Sequence, residues 1–366
     1  TNGVVFGLSR IGESDDVFGY VWYILPDTDA SKKNIKRGDF FIGVNGERLT
    51  INNYIDLLYD DRDSYELNMA QIIDNVISEN DITVELDKIT NYQENPVFRS
   101  TVINASDKKI GYLIYNQFVR DFDADLYNEL INLKNQNVTE VILDFRYNPG
   151  GFVSSAVNLS SIIYDTDTTK VFSRRRYNSK IQSLVGPNNL ITNFSNNIDG
   201  NAITSLNLDK VYIITSSRSA SASELVINCL APYIDVVQVG ETTTGKNEFS
   251  VTLVDDEENA YIFDNNREDA IKEGNSWAIQ PLIGRTENSA GFFEYTTGLI
   301  PDFEITEDIT NMGVLGDNNE PLLAYTIDII LGNSAKSNRI NNYPAKPIAD
   351  SNLKRVFNNA MIDDMN

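Results

Sequence analysis

The 366-residue chain contains no histidine. That absence excludes a Ser-His-Asp triad, a Cys-His dyad and any zinc site that needs imidazole. The single cysteine, Cys229, excludes an internal disulfide; it falls on the apolar face of a helical pattern and reads as a core residue. No apolar run approaches the ~20 residues of a membrane span. Basic residues are scarce: 30 Lys and Arg stand against 53 Asp and Glu, a net charge of −23. Nucleic acids and anionic membranes are held by basic patches, so both are poor partners for this chain. Only Arg174–Arg176 forms a basic cluster, and it reads as part of a solvated loop. No secretory leader is visible at Thr1–Arg10, and the start reads as trimmed.

The stretch from Lys210 to Ser250 organises what is present. Val211–Thr215 is a β-branched and aromatic run of the kind found in buried strands. Ser216–Ser223 is almost all Ser and Ala, which allows a tight turn. Glu224–Leu230 then carries Leu225, Val226, Cys229 and Leu230 at helical spacing, and Pro232 ends the pattern. Val236–Val239 is a second strand, and Gly240–Lys246 is a loop ending in lysine. A serine at a helix start lies beside unpaired N–H groups that can hold an oxyanion. With imidazole absent, the common remaining base for a serine is a lysine whose pKa is lowered by burial. Lys246, 25 positions after Ser221, fits that role. Taken singly, a serine in such a turn is most often a cap and a loop lysine is solvated. The spaced pair favours catalysis.

Ser219-Ala-Ser-Ala-Ser-Glu224 followed by Gly240-Glu-Thr-Thr-Thr-Gly-Lys246 resembles the signature of the C-terminal-processing (tail-specific, tricorn-like) serine peptidases. Val141-Ile-Leu-Asp-Phe-Arg-Tyr-Asn-Pro-Gly-Gly151 resembles the same family's D-x-R-x-N-x-G-G element. The resemblance implies Ser221 as nucleophile, Lys246 as general base, and an oxyanion hole from the amides of Ala222 and of Gly150 or Gly151. Where many members place a glutamine that orients the lysine, this chain has Ser250; where others place an aspartate, it has Pro232. Ser250 is the expected orienting residue, with Glu224 and Glu241 close enough in sequence to tune the amine.

Rival motifs are weaker. Gly240 to Lys246 nearly completes a phosphate-binding loop, but Asn247 stands where Ser or Thr must follow, and a strand pattern replaces the helix. Ser-x-x-Lys also occurs at Ser106–Lys109 and Ser351–Lys354, without the partner motifs of the penicillin-recognising enzymes.

Residues 1–95 read as a small β-rich domain. The stretch from Pro26 to Gly46 resembles a PDZ sequence, and the acids Glu13, Asp15 and Asp16 stand where they would repel a captured carboxylate. Gln93–Phe98 reads as a linker. Residues 96–335 alternate strands and helices, and the resemblance implies a crotonase-like βαβ superhelix protease core. Phe249–Val254 and Ala260–Asp264 read as a hairpin, Trp277–Ile283 as a strand, and Glu320–Leu331 as a helix. Within Asp165–Asp209 a hairpin and a short helix are expected, because a structureless loop of that length is unusual. Residues 336–366 read as a polar, loosely docked tail. The fold class expected is therefore mixed α/β. The function implied is serine endopeptidase action on protein or peptide substrates, without cofactor or metal. The resemblance further implies the periplasm or cell envelope of a bacterium, with room for a lipid anchor upstream. The alternative is a catalytically inactive, PDZ-containing peptide-binding envelope protein.

Overall fold

The computed structural model describes residues 1–183, 186–275, 277–333, 343, 345–353 and 361–362. The chain divides into two compact units: Thr1–Glu94 with Thr306–Asp328 and Ser334–Asn358, and Asn95–Ile305 with Ile329–Asn333 and Asn359–Asn366.

The first unit is built on an antiparallel sheet in the order Ala345–Asp350, Val4–Ile11, Val17–Ile24, Phe40–Val44, Ser64–Ile73, Val76–Asp87. Alternating apolar positions place Phe6, Leu8, Val21, Phe41, Leu67 and Val84 in one buried cluster, with Phe6 edge-on to Phe41 at 5.3 Å between ring centres. Asp74 and Asn75 both take positive φ between the last two strands, as a two-residue hairpin turn requires. The acids of the 13–16 loop are exposed, and each is paired. Arg10 meets Asp15, Arg48 meets Asp16, and Lys346 meets Glu13.

The second unit carries a mixed sheet in the order Phe303–Glu304, Asp235–Gly240, Lys210–Thr215, Glu140–Asp144, Lys108–Tyr115, Val97–Ala105. All neighbours are parallel except the Val97–Ala105 edge strand. The strands are near-continuous Val, Ile and Leu runs because a parallel sheet is covered on both faces. Leu126, Leu130 and Leu133 of the Asp123–Asn135 helix, and most of the Val153–Ile163 and Ala222–Leu230 helices, are buried. A second sheet runs Gly151–Phe152, Met361–Ile362, Glu248–Ser250, Leu282–Asn288, Val171–Tyr177, Ile191–Asn193.

Several expectations need correction. Arg174–Arg176 is not a solvated loop but lies in the Val171–Tyr177 strand, where Arg174 donates to the Ser289 carbonyl at 2.7 Å. The hairpin expected after Phe249 is reduced to a single bridge, Leu253 to Ile262, because the intervening acids are drawn into turns around Arg267. The strand expected at Trp277 begins at Leu282 instead, leaving Trp277 82% exposed. The helix expected over 320–331 is present as Pro321–Ile330, with the Glu320 carboxylate accepting from Leu323 N at 2.8 Å. Of the tail expected to be loosely docked, the described residues include two paired strands: Ala345–Asp350 pairs with Val4–Ile11, and Met361–Ile362 pairs with Gly151–Phe152 and with Ser250, while the rest of that expectation lies outside the described residues. Of the two stray Ser-x-x-Lys matches, Ser106 lies in the turn between antiparallel strands with Lys109 in the second of them, and Lys354 lies outside the described residues.

Candidate active site

Three neighbouring parallel strands, Glu140–Asp144, Lys210–Thr215 and Asp235–Gly240, each end in a segment singled out by sequence. Ligands of open α/β sheets bind outside the carboxyl ends of the strands. The Asn-Pro-Gly-Gly turn, the Ser-Ala turn and the Gly-Lys loop therefore meet where the fold is suited to a site.

Side chains stitch these three segments together. Asp144 and Arg146, both buried, pair at 2.8 Å, and Tyr112 donates to Asp144 Oδ2 at 2.6 Å. The pair fixes the start of the turn, whose carbonyls then receive the serine loop. Ser219 Oγ donates to the Phe145 carbonyl at 2.8 Å, Ser216 Oγ donates to the Arg146 carbonyl, and Ser223 Oγ donates to the Asn148 carbonyl at 3.1 Å. Asn148 shapes the turn itself, donating to the Tyr115 carbonyl at 2.8 Å and accepting from Gly150 N at 2.9 Å. Across the other gap, Thr244 N donates to the Ser219 carbonyl at 3.0 Å and Thr244 Oγ1 to the Ser217 carbonyl at 2.9 Å. The Thr296–Asp302 segment braces the lysine loop from outside. Leu299 N donates to Thr243 Oγ1 at 2.7 Å, and a Cβ on Gly245 would lie 2.5 Å from Gly298 N.

Ser221 stands at the strand-to-helix turn with φ 61° and ψ −113°. A positive φ at a residue with a side chain costs of order 1–3 kcal/mol and clusters at functional positions. Its side chain is fully buried, with Oγ facing the Glu224 amide in a capping box and otherwise without a hydrogen-bond partner among the described residues. Ala222 is the first residue of the helix, so its N–H has no acceptor within the helix. Gly150 packs directly on the serine: with φ 105°, a Cβ there would lie 2.6 Å from Ser221 Cβ and 2.9 Å from Oγ. Its amide is engaged by Asn148 Oδ1. Gly151, at φ 137°, has no room for a side chain because a Cβ would meet the Phe118 carbonyl at 2.1 Å.

Glu224 ties the serine to the lysine. Its buried carboxylate accepts from Ser221 N at 2.7 Å and Lys246 N at 2.8 Å through Oε2, and from Gly245 N at 2.6 Å and Thr243 Oγ1 at 2.5 Å through Oε1. Burial raises its pKa, and the four donors oppose the rise. Three of them are amides, which can only donate, so the ionised carboxylate is the form that fits. The two backbones are thereby held to one oxygen atom. Sequence reading gave Glu224 only a tuning role, and the acid closing the Ser-Ala run was the available signal.

Lys246 is half-buried, and that burial lowers its pKa; the charges of Glu248 and then Glu224 oppose the shift. The Ser250 hydroxyl donates to the Met361 carbonyl at 3.3 Å, which leaves its lone pairs as acceptors. Glu248, absent from the sequence-based set, is the foremost anionic influence on the amine, and it also meets Arg285 at 3.5 Å. Glu241 is turned away, accepting from Ser217 N at 3.0 Å. Cys229 is buried, and burial pushes its thiol pKa up, in keeping with a core residue. Among the described residues, no group of three or more His, Cys, Asp or Glu could hold a metal ion. No described helix is long and apolar enough to cross a membrane.

Residues 109–303 match the profile of peptidase family S41. Among curated proteins, the chain is 30% identical over 149 residues to the chloroplastic carboxyl-terminal-processing peptidase 3 of Arabidopsis thaliana, a match covering 40% of this chain and 26% of that protein. It is 22% identical over 223 residues to a "Probable CtpA-like serine protease" of Staphylococcus aureus, covering 61% of this chain and 40% of that protein. The chain thus spans well under half the length of these curated relatives. A solved structure of an S41-protease-like protein from Bacteroides fragilis aligns with TM-score 0.71 and 24% identity, covering 90% of this chain and 82% of that one. That likeness shows a shared mixed α/β fold.

Proposed function

The chain belongs to peptidase family S41, and we propose that it is a serine endopeptidase working by a Ser–Lys mechanism. The observation that carries the proposal is the single Glu224 oxygen that accepts from both the Ser221 and the Lys246 amides. In this reading neutral Lys246 accepts the proton of Ser221 Oγ, and Oγ attacks the peptide carbonyl. The amides of Ala222 and of Gly150 or Gly151 hold the tetrahedral oxyanion. Lys246 then gives the proton to the leaving amine, and water resolves the acyl-enzyme with the amine again as base. Lowering of the lysine pKa by burial supports the neutral form this scheme needs. Both glycine candidates are engaged in this structure, the Gly150 amide by Asn148 and Gly151 by pairing with Met361.

The same reading makes the core a crotonase-like βαβ superhelix and the unit containing residues 1–94 a PDZ-like peptide-binding domain. The substrates are proteins or peptides processed or degraded in the cell envelope. The test is hydrolysis of unfolded casein together with labelling by a fluorophosphonate. Wild type labels and hydrolyses, while Ser221→Ala and Lys246→Ala do neither and keep the fold. Hydrolysis retained by either variant refutes the mechanism. Peptide binding with no labelling by wild type would instead favour an inactive peptide-binding protein.

A further inference from the structure

The nucleophile of the proposed mechanism is sealed. Ser221 has no exposed surface, and among the described residues its hydroxyl has no partner beyond the capping box with Glu224. The two strands leading away from the site are also already bridged. Gly151–Phe152 continues from the oxyanion turn, and Glu248–Ser250 continues from Lys246. Between them lies a strand of the chain itself, Met361–Ile362.

The register is defined on both sides. Met361 pairs with Gly151 and Ile362 with Phe152, both parallel, and Ile362 pairs with Ser250, also parallel. Met361 is fully buried and Ile362 nearly so. The Thr286 hydroxyl meets Met361 Sδ at 3.8 Å, and the Met361 carbonyl takes the Ser250 hydroxyl. A strand pair is spaced ~4.8 Å apart, so the segment runs one strand's width from the glycine that follows Gly150. Gly150 in turn packs on Ser221.

We propose that the slot between Gly151–Phe152 and Glu248–Ser250 is a binding site for an extended peptide with apolar residues at two successive positions, and that Met361–Ile362 occupies it as a self-ligand that substrate displaces. The proposal rests on the Ser–Lys reading for the consequence of displacement. Backbone pairing gives such a slot its affinity, and the side-chain positions give it selectivity. The occupant is also tied to the slot by a side chain, since the Ser250 hydroxyl donates to its Met361 carbonyl.

The test places a charge in the slot with Ile362→Asp and measures fluorophosphonate labelling of Ser221. Labelling is expected about tenfold faster or more, equivalent to about 1.4 kcal/mol per factor of ten. Excess peptide of the 358–366 sequence should return the slow rate. An unchanged labelling rate in a folded variant overturns the proposal. The native sequence around the slot is tested independently by hydrogen exchange on Ser221→Ala protein saturated with unfolded casein. Lost protection at 361–362 supports displacement, and full protection with casein bound overturns it, whether or not Ile362→Asp folds. Absence of labelling in every form counts against the Ser–Lys reading instead, while the exchange result still decides the slot.

Discussion

Glu224→Gln is the most informative single substitution in this chain. It removes one charge and replaces one acceptor oxygen by an NH2 group with almost no change of volume. The carboxylate answers four donors, two at each oxygen. If the new NH2 takes the Oε2 position it faces the amides of Ser221 and Lys246, neither of which can accept. If it takes the Oε1 position it faces the Gly245 amide and the Thr243 hydroxyl, and only the hydroxyl can turn to accept. The second orientation is cheaper, yet it still leaves Gly245 N buried and unanswered. It also weakens the two remaining bonds by removing their charge. A hydrogen bond to a charged group contributes about 1.5–3 kcal/mol, and an orphaned buried donor costs about 1–3 kcal/mol. The expected loss is therefore about 3 kcal/mol in the unit that carries the site. Denaturant-dependent hydrogen exchange of the Glu140–Asp144 amides measures it. The serine and lysine loops should also separate, lowering fluorophosphonate labelling of Ser221 more than tenfold. A stability change below about 1 kcal/mol with unchanged labelling would mean that Glu224 does not hold the two loops together, and the reasoning would fail.

Five further outcomes follow from the same geometry. The amine of Lys246 must be neutral to act, so kcat/KM should rise with pH through a pKa below the ordinary lysine value of about 10.4. Glu248→Gln removes the foremost charge favouring the ammonium and should move that limb to lower pH; a shift upward or none would refute the role given to Glu248. Stability has a matching sign: between the lowered folded pKa and the ordinary value the unfolded chain binds more protons, so this lysine makes stability rise with pH, as denaturant midpoints measured across that window would register. Gly150→Ala should abolish casein hydrolysis, because its Cβ would lie 2.6 Å from Ser221 Cβ at a φ of 105°. Asn148→Asp loses the donor to the Tyr115 carbonyl and should cost about 2 kcal/mol, read as a lower urea midpoint.

The parts of the site legible in sequence are those made by local segments. The Val211–Thr215 run, the small-residue turn and the Glu224–Leu230 helix follow one another without a gap, and each is specified by its own residues. The Asn-Pro-Gly-Gly turn is equally local, which is why its glycines could be named. What escaped reading depends on partners far along the chain. The carbonyl to which the Ser250 hydroxyl donates lies 111 positions away, and nothing near Ser250 in sequence announces it. The Ala345–Asp350 segment contains a proline and polar residues and has little strand character of its own, yet it is a strand because Val4–Ile11 offers an edge. Arg174–Arg176 looked like a solvated run because charge dominates its composition, while its conformation is set by pairing with Leu282–Asn288.

Glu224 shows the same limit from the other side, and it also explains how the strained serine is maintained. A backbone at φ 61° and ψ −113° is unfavourable by itself, so something nonlocal must oppose its relaxation. The Ser221 amide is one of the donors bound to Glu224, and that carboxylate is fixed in turn by Thr243, Gly245 and Lys246. The lysine loop is braced by Leu299, and the serine loop is held to the carbonyls of Phe145, Arg146 and Asn148. Relaxing the serine would therefore disturb bonds in the segments that follow three parallel strands at once. The acid that closes the Ser-Ala run is, on this argument, the residue that lets a β-sheet rim keep a side chain in a conformation its own sequence would not choose.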